Sequence, residues 1–203
     1  MYRTFAVREP QRRDPTPHEA PVTLTRRDAL QKLLWGAAAV PLVGSWPGIA
    51  AASRLPATGN LSFHNLHTDE SVAVRYRTGD GAWLPDGLDR LDHLFRCHFT
   101  DEVHPIAPEL YQLLDAVRRR LGAVDRPFQL ISGYRSPAYN ALLRRKSGNV
   151  AKHSYHLRGM AADVRLDGVA VADLRRAARE ISTGGVGRYT EFVHLDVGPR
   201  RSW

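Results

Sequence analysis

Apolar and polar residues alternate over 61–66 and again over 71–76, the two-residue period of half-buried strands, and the short polar link between them makes the pair a hairpin. After a turn at Leu84-Pro85-Asp86-Gly87 the period lengthens. Leu88, Leu91, Leu94 and Phe95 share one face and predict a helix over 88–98. Pro108 opens a second helix over 109–121, with Leu110, Leu113, Leu114 and Val117 turned inward. The remaining runs predict a strand at 128–132, a proline-started helix at 137–146, a strand at 161–166, a helix at 171–181 and a last strand at 192–197. This order predicts one α+β domain, an antiparallel sheet with flanking helices.

The first fifty residues follow a different rule. Residues 1–21 are polar and rich in proline and arginine, with no period. Thr25-Arg26-Arg27-Asp28-Ala29-Leu30 is a twin-arginine pattern with Ala29 where phenylalanine is usual, followed by an apolar run at 33–43 and the small residues Ile49-Ala50-Ala51-Ala52. We read 1–52 as a cleaved twin-arginine-type export signal with a disordered start, recognised by the twin-arginine machinery, and 53–203 as the mature domain in the periplasm or cell envelope. The run is too short for a stable membrane span in the mature form, leaving an uncleaved amphipathic anchor as the alternative. Cys97 is the only cysteine, so no intramolecular disulfide and no cysteine-rich zinc cluster can form; it is expected as a small buried residue. The net charge is +8, much of it in the leader. Arg118-Arg119-Arg120 and Arg144-Arg145-Lys146 lack interleaved aromatics, which argues against nucleic acid as a partner; both read as solvated helix faces. An exported basic protein meets an acidic envelope polymer instead.

The chemistry gathers late in the chain. In S-Y-H-L-R-G-M-A-A-D-V, His156 precedes Asp163 by seven residues, and F-V-H-L-D supplies His194. Two imidazoles and a carboxylate are the ligand types of a catalytic zinc with one position open. S-G-Y-R-S ends a strand and places Arg135 where a guanidinium can hold a substrate carboxylate or an oxyanion. Glu191 stands three residues before His194, and Asp196 two residues after it on the same strand face. Either carboxylate is a candidate general base, with a solvated charge as the plainer reading. Gly184-Gly185-Val186-Gly187 lacks phosphate-loop spacing and reads as a flexible approach to the last strand. Of nine histidines, His64, His67, His93, His98 and His104 need no functional account. His153, three residues before His156, is kept as a substrate contact or a second-layer group, and Tyr155 and Arg158 as substrate contacts.

S-G-Y-R-S, S-Y-H-L-R-G-M-A-A-D-V, G-G-V-G and F-V-H-L-D-V-G-P-R-R-S-W, in this order over 61–203, resemble the D-Ala-D-Ala metallopeptidase superfamily, in particular its MepK-like periplasmic murein endopeptidase branch. The resemblance implies a zinc hydrolase of peptidoglycan stem peptides, with one Zn2+ per chain on His156, Asp163 and His194, set at one face of the sheet. Arg135 would hold or polarise the substrate. It also implies cleavage of crosslinks between two diaminopimelate residues, for cell-wall remodelling. No long insertion closes the path between Asp163 and His194, as an endopeptidase groove requires, and Arg158 and Arg188 suit it as a basic rim. The alternatives are a D,D- or L,D-carboxypeptidase, a zinc-bearing but non-catalytic peptidoglycan-binding domain, and an envelope interaction domain whose histidines are merely packed.

Overall fold

A computed structural model describes residues 58–148 and 150–203. The predicted export signal lies outside the described residues. Two strands open the domain as the expected hairpin: β1 (Gly59–Asn65) and β2 (Ser71–Arg77) pair antiparallel, Leu61 opposite Val74 and Phe63 opposite Val72. Helices α1 (Pro85–Leu94) and α2 (Pro108–Arg120) then carry the chain across to β3 (Phe128–Ser132), which runs parallel to β1. Helix α3 (Pro137–Lys146) and a single 3-10 turn (Tyr155–Arg158) lead to β4 (Ala161–Leu166). Helix α4 (Val171–Ile181) precedes β5 (Gly185–Arg188), β6 (Val193–Asp196) and the short β7 (Arg201–Ser202).

All seven strands form one sheet in the order β2-β1-β3-β4-β6-β5-β7. The expected α+β domain is present, but its sheet is mixed rather than purely antiparallel. The β1–β3 and β5–β7 pairs are parallel. The first follows from chain length: a connection holding two helices is long enough to return to the same end of the sheet. The central strands carry the burial. Five of the six residues of β4 and all four of β6 are buried, so both strands are covered on both faces.

The core is aromatic where the hairpin meets the helices. Phe63 stacks on Phe128 with ring centres 5.5 Å apart and meets Phe95 edge-on at 5.0 Å, and Phe95 meets Tyr111 at 5.3 Å. Cys97 is buried among these groups as expected. Asn65 closes the end of β1: its amide donates to the Leu94 carbonyl at 2.9 Å, and its side-chain oxygen accepts from the His67 N–H at 2.9 Å and the Thr68 N–H at 3.3 Å. One buried amide thereby satisfies the turn and the end of α1 together.

Three local expectations change. Helix α1 starts at Pro85 and ends at Leu94, not 88–98, because proline at the first helical position needs no hydrogen bond for its nitrogen. Beyond Leu94 the chain turns, with the Phe95 carbonyl accepting from the Tyr134 N–H at 2.7 Å. The glycine-rich segment before the last strand is itself a strand, β5, because pairing with β6 and β7 supplies the order that the glycines lack alone. Nor is Arg118-Arg119-Arg120 a solvated face. Arg118 is buried, bonded to Asp115 at 3.0 Å and to the Asn60 carbonyl at 2.6 Å; Arg119 meets the other Asp115 oxygen at 2.9 Å, and Arg120 pairs with Glu180. Replacing Asn65 by leucine keeps the bulk but orphans a buried carbonyl and the turn amides. Urea denaturation should register a loss of about 1–3 kcal/mol.

Candidate metal centre and groove

Strand register assembles the centre. Ser132 of β3 lies beside Asp163 of β4, Asp163 beside His194 of β6, and His194 beside Gly187 of β5, so four neighbouring strands present one row of positions. His156 reaches this row from the 3-10 turn. Ser154 caps that turn by accepting from the His156 N–H at 3.3 Å, and the Arg135 N–H donates to the His156 carbonyl at 3.2 Å.

Three donor atoms converge there. His156 Nε2 lies 3.2 Å from His194 Nδ1 and 3.3 Å from Asp163 Oδ1, and His194 Nδ1 lies 2.8 Å from Asp163 Oδ1. The groups behind them set which atom faces in. The Gly133 carbonyl accepts from His156 Nδ1 at 2.7 Å, which places the proton there and leaves the Nε2 lone pair toward the centre. Asp196 Oδ2 accepts from His194 Nε2 at 3.0 Å, so Nδ1 faces inward. Asp163 gives its second oxygen, Oδ2, to Arg135, whose Nε also donates to the Ser132 hydroxyl at 2.8 Å. The three converging atoms repel one another unless a proton or a cation sits among them; a proton between His194 Nδ1 and Asp163 Oδ1 can serve, and a metal would displace it. Their spacing matches the roughly 3.3 Å between neighbouring ligand atoms of a tetrahedral site with bonds near 2.1 Å. His156, Asp163 and His194 fit a divalent metal.

The electrostatics prepare His156 and Asp163 as ligands, whereas His194 is inclined to hold a proton that a metal would have to displace. All three side chains are buried. Burial is the largest influence on His156 and drives its pKa down to about 4, keeping the ring neutral as a ligand must be. Burial alone would raise Asp163, but His156, His194 and Arg135 outweigh it and hold the carboxyl well below the usual carboxylate range. Burial works against a charged His194 as well, yet hydrogen bonds to Asp163 and Asp196 raise its pKa. In Asp196 burial is opposed by His194, the Gly198 N–H and Arg201, and the carboxyl is lowered to about 2.

His156, Asp163 and His194 line a cavity of about 600 Å³ together with Arg135, Ala151, His153, Tyr155, Tyr189, Phe192 and Trp203. Tyr189 and Phe192 stack at 4.5 Å. Trp203 packs on the His194 ring at 5.3 Å, in the space that the missing side chain of Gly187 leaves: a Cβ there would lie 2.7 Å from the indole. Gly133 is constrained likewise, since a Cβ would lie 2.5 Å from the Phe95 carbonyl, and a larger residue would shift the acceptor of His156.

Of the residues predicted for the site, the structure brings together His156, Asp163, His194, Arg135, His153 and Tyr155 around this cavity. The two carboxylates expected as bases lie elsewhere. Glu191 does not line the cavity; its side chain is 75% exposed and pairs with Arg165 at 2.9 Å. Asp196 is fully buried behind His194, with both oxygens occupied by His194, Arg201, Gly185 and Gly198. Arg158 stands outside, over the Tyr155 ring at 4.2 Å, and Arg188 lines a neighbouring hollow. Sequence reasoning missed the Gly133 carbonyl, Ser132, Trp203 and Arg201. Arg201 bonds Asp196 at 2.6 Å and lies over the rings of Tyr155 and Trp203 at 4.7 and 5.1 Å. The terminal G-P-R-R-S-W signature held the clue to two of these, but a backbone carbonyl leaves no mark in residue type.

The chain's relatives share most of its length. A sequence model described as peptidoglycan L,D-endopeptidase MepK matches residues 53–203. The peptidoglycan L,D-endopeptidase MepK of Escherichia coli strain K12 is 40% identical over 177 residues, covering 86% of this chain and 93% of that protein. The probable peptidoglycan L,D-endopeptidase MepK of Haemophilus influenzae is 36% identical over 157 residues, 76% of this chain and 84% of that protein. No solved structure matches the chain.

Asp196→Ala removes the carboxylate that orients His194. Metal affinity should fall 10–100-fold in competition with a chromogenic chelator, while far-ultraviolet circular dichroism stays unchanged.

Proposed function

Since the chain belongs to the peptidoglycan L,D-endopeptidase MepK family, we propose that it hydrolyses L,D peptide bonds in peptidoglycan crosslinks, at the link between two diaminopimelate residues, with one zinc ion on His156, Asp163 and His194. It is a hydrolase of the metallopeptidase class. The observation that carries the reading is the convergence of three oriented donor atoms at a cavity that their side chains line.

The metal, when bound, supplies Lewis acidity for amide hydrolysis at the face the three ligands leave open. The rest of the chemistry belongs to the chain. Gly133 and Asp196 hold the imidazoles in the ligating orientation. Arg135 holds Asp163 through one nitrogen, and its Nη1 has no partner among the described residues, which leaves a donor at the cavity for a substrate carbonyl or carboxylate. His153 and Tyr155, with the aromatic rings of Tyr189, Phe192 and Trp203, line the cavity the peptide would occupy. Asp196 positions His194 rather than accepting a proton from water, because hydrogen bonds engage both of its oxygens. Glu191, paired with Arg165 outside the cavity, takes no part in catalysis.

The leader completes the proposal. Arg26 and Arg27 within the predicted twin-arginine signal would send the enzyme through that export machinery to the periplasm, where the crosslinks are. Among the described residues no helix is long and apolar enough to cross a membrane.

Digestion of isolated sacculi, followed by chromatographic separation of the fragments, tests this reading. Crosslinked dimers should give monomers, in a reaction abolished by chelator and restored by zinc. Release of free D-alanine from uncrosslinked pentapeptide at a faster rate would replace it with a carboxypeptidase. Alanine at His156, Asp163 or His194 should eliminate both bound metal and hydrolysis. Glu191→Gln should retain wild-type zinc content and turnover to within about twofold, since an exposed ion pair contributes little; a hundredfold fall in kcat at full zinc would make Glu191 the base after all.

A further inference from the structure

The cavity over the metal does not end at its aromatic wall. Tyr189, which lines it, also lines a second hollow of about 740 Å³ together with Val171, Ala172, Arg175, Arg188 and Thr190. Two guanidinium groups face one space there without a counter-charge. Neither Arg175 nor Arg188 forms a side-chain ion pair or hydrogen bond among the described residues, and Arg175 Nε is buried with no partner. Their neighbours behave differently: Arg176 is paired with Asp173 at 2.7 Å, Arg165 with Glu191 and Arg120 with Glu180. A buried guanidinium nitrogen left unpaired carries a desolvation cost that a bound anion would relieve.

The hollow is tied to the metal centre by the backbone. Arg188 ends β5, and its N–H donates at 2.8 Å to the carbonyl of Trp203, the residue packed on His194. Arg175 comes from the first half of α4, whose start, Val171 and Ala172, lines the same hollow.

We infer that Arg175 and Arg188 form a carboxylate-binding subsite that lies past Tyr189 from the metal and takes a free carboxylate of the crosslinked substrate on one side of the scissile bond. The inference rests on the endopeptidase reading and extends it. A crosslink carries carboxylates on both of its stem peptides, so an anion site displaced from the reacting bond lets the enzyme prefer a crosslinked peptide to a single stem. Thr190 adds a hydroxyl at the rim, and Tyr189 forms the ridge over which the peptide passes.

The test compares full-length wild type, Arg175→Gln/Arg188→Gln, Arg175→Lys/Arg188→Lys and the control Arg179→Gln, which lies on α4 outside the hollow. Kinetics are measured on purified crosslinked muropeptide dimers and on the same dimers with their carboxylates amidated. The glutamine pair should raise KM for the native dimer roughly five- to tenfold with kcat within about twofold, the size of effect expected for partly screened charge pairs. The lysine pair should recover part of that loss. Amidated dimer should show the same high KM in wild type and glutamine pair. An unchanged KM in the glutamine pair, or an equal rise in Arg179→Gln, overturns the subsite while leaving the endopeptidase intact. Co-sedimentation with native and amidated sacculi gives a second readout that needs no catalysis. Should wild type cleave no dimer, yet bind native sacculi several-fold better than amidated sacculi in a manner lost in the glutamine pair, the subsite stands and the endopeptidase reading falls.

Discussion

Three ligand-type atoms converging on one buried point are an unfavourable arrangement unless a proton or a cation sits among them, and this domain is organised around holding such a set. His156, Asp163 and His194 bring acceptor atoms within 3.3 Å of each other in a buried place. A free imidazole or carboxylate would rotate away to water. Here each is secured from behind: His156 by the Gly133 carbonyl, His194 by Asp196, and Asp163 by Arg135. A cation entering among the three would take the place of the proton between His194 and Asp163, and it would find the ligand atoms already oriented.

The sheet makes such orientation affordable. Asp163 and His194 are direct neighbours on β4 and β6, the two strands most completely buried, and their separation is set by strand spacing rather than by flexible loops. Ser132 continues the row on β3, and Gly187 ends it on β5 by leaving room for Trp203. Only His156 comes from outside the sheet, and it is held by one backbone bond, from the Arg135 N–H to its carbonyl, and by its ring Nδ1 donating to the Gly133 carbonyl. Ligands from a stiff sheet give a site little freedom to spread when the metal leaves.

Charge is distributed with the same economy. Inside, several arginines have carboxylate partners: Arg135 with Asp163, Arg201 with Asp196, Arg118 with Asp115. These pairs are buried or half-buried and fix positions more than they add stability. Toward the groove, Arg175 and Arg188 are left without partners among the described residues. In a chain with a net charge of +8, the neighbouring Arg165 and Arg176 have carboxylate partners, and Arg175 and Arg188 stand apart by sharing one hollow without one.

Much of this was legible in the amino-acid order. Alternation located β1 and β2, prolines at 108 and 137 marked the starts of α2 and α3, and the sequence singled out His156, Asp163 and His194, whose ligand-type atoms the fold brings together. These are local properties: a period, a cap, a functional group. The role of Asp196 was not local, because a carboxylate two residues from a ligand has the right chemistry for a base and for an orienting partner alike. In the fold both of its oxygens are engaged by His194, by two backbone amides and by Arg201, which β7 pairing brings alongside at the sheet edge, and this favours the second. Glu191 had suitable spacing as well, but the turn before β6 directs it to Arg165. Helix α1 began early, and the glycine segment became β5, because partners distant in sequence supplied what each segment lacked. Residue types thus determined which chemistry was available; strand register and backbone carbonyls, which no residue type encodes, decided which atoms perform it.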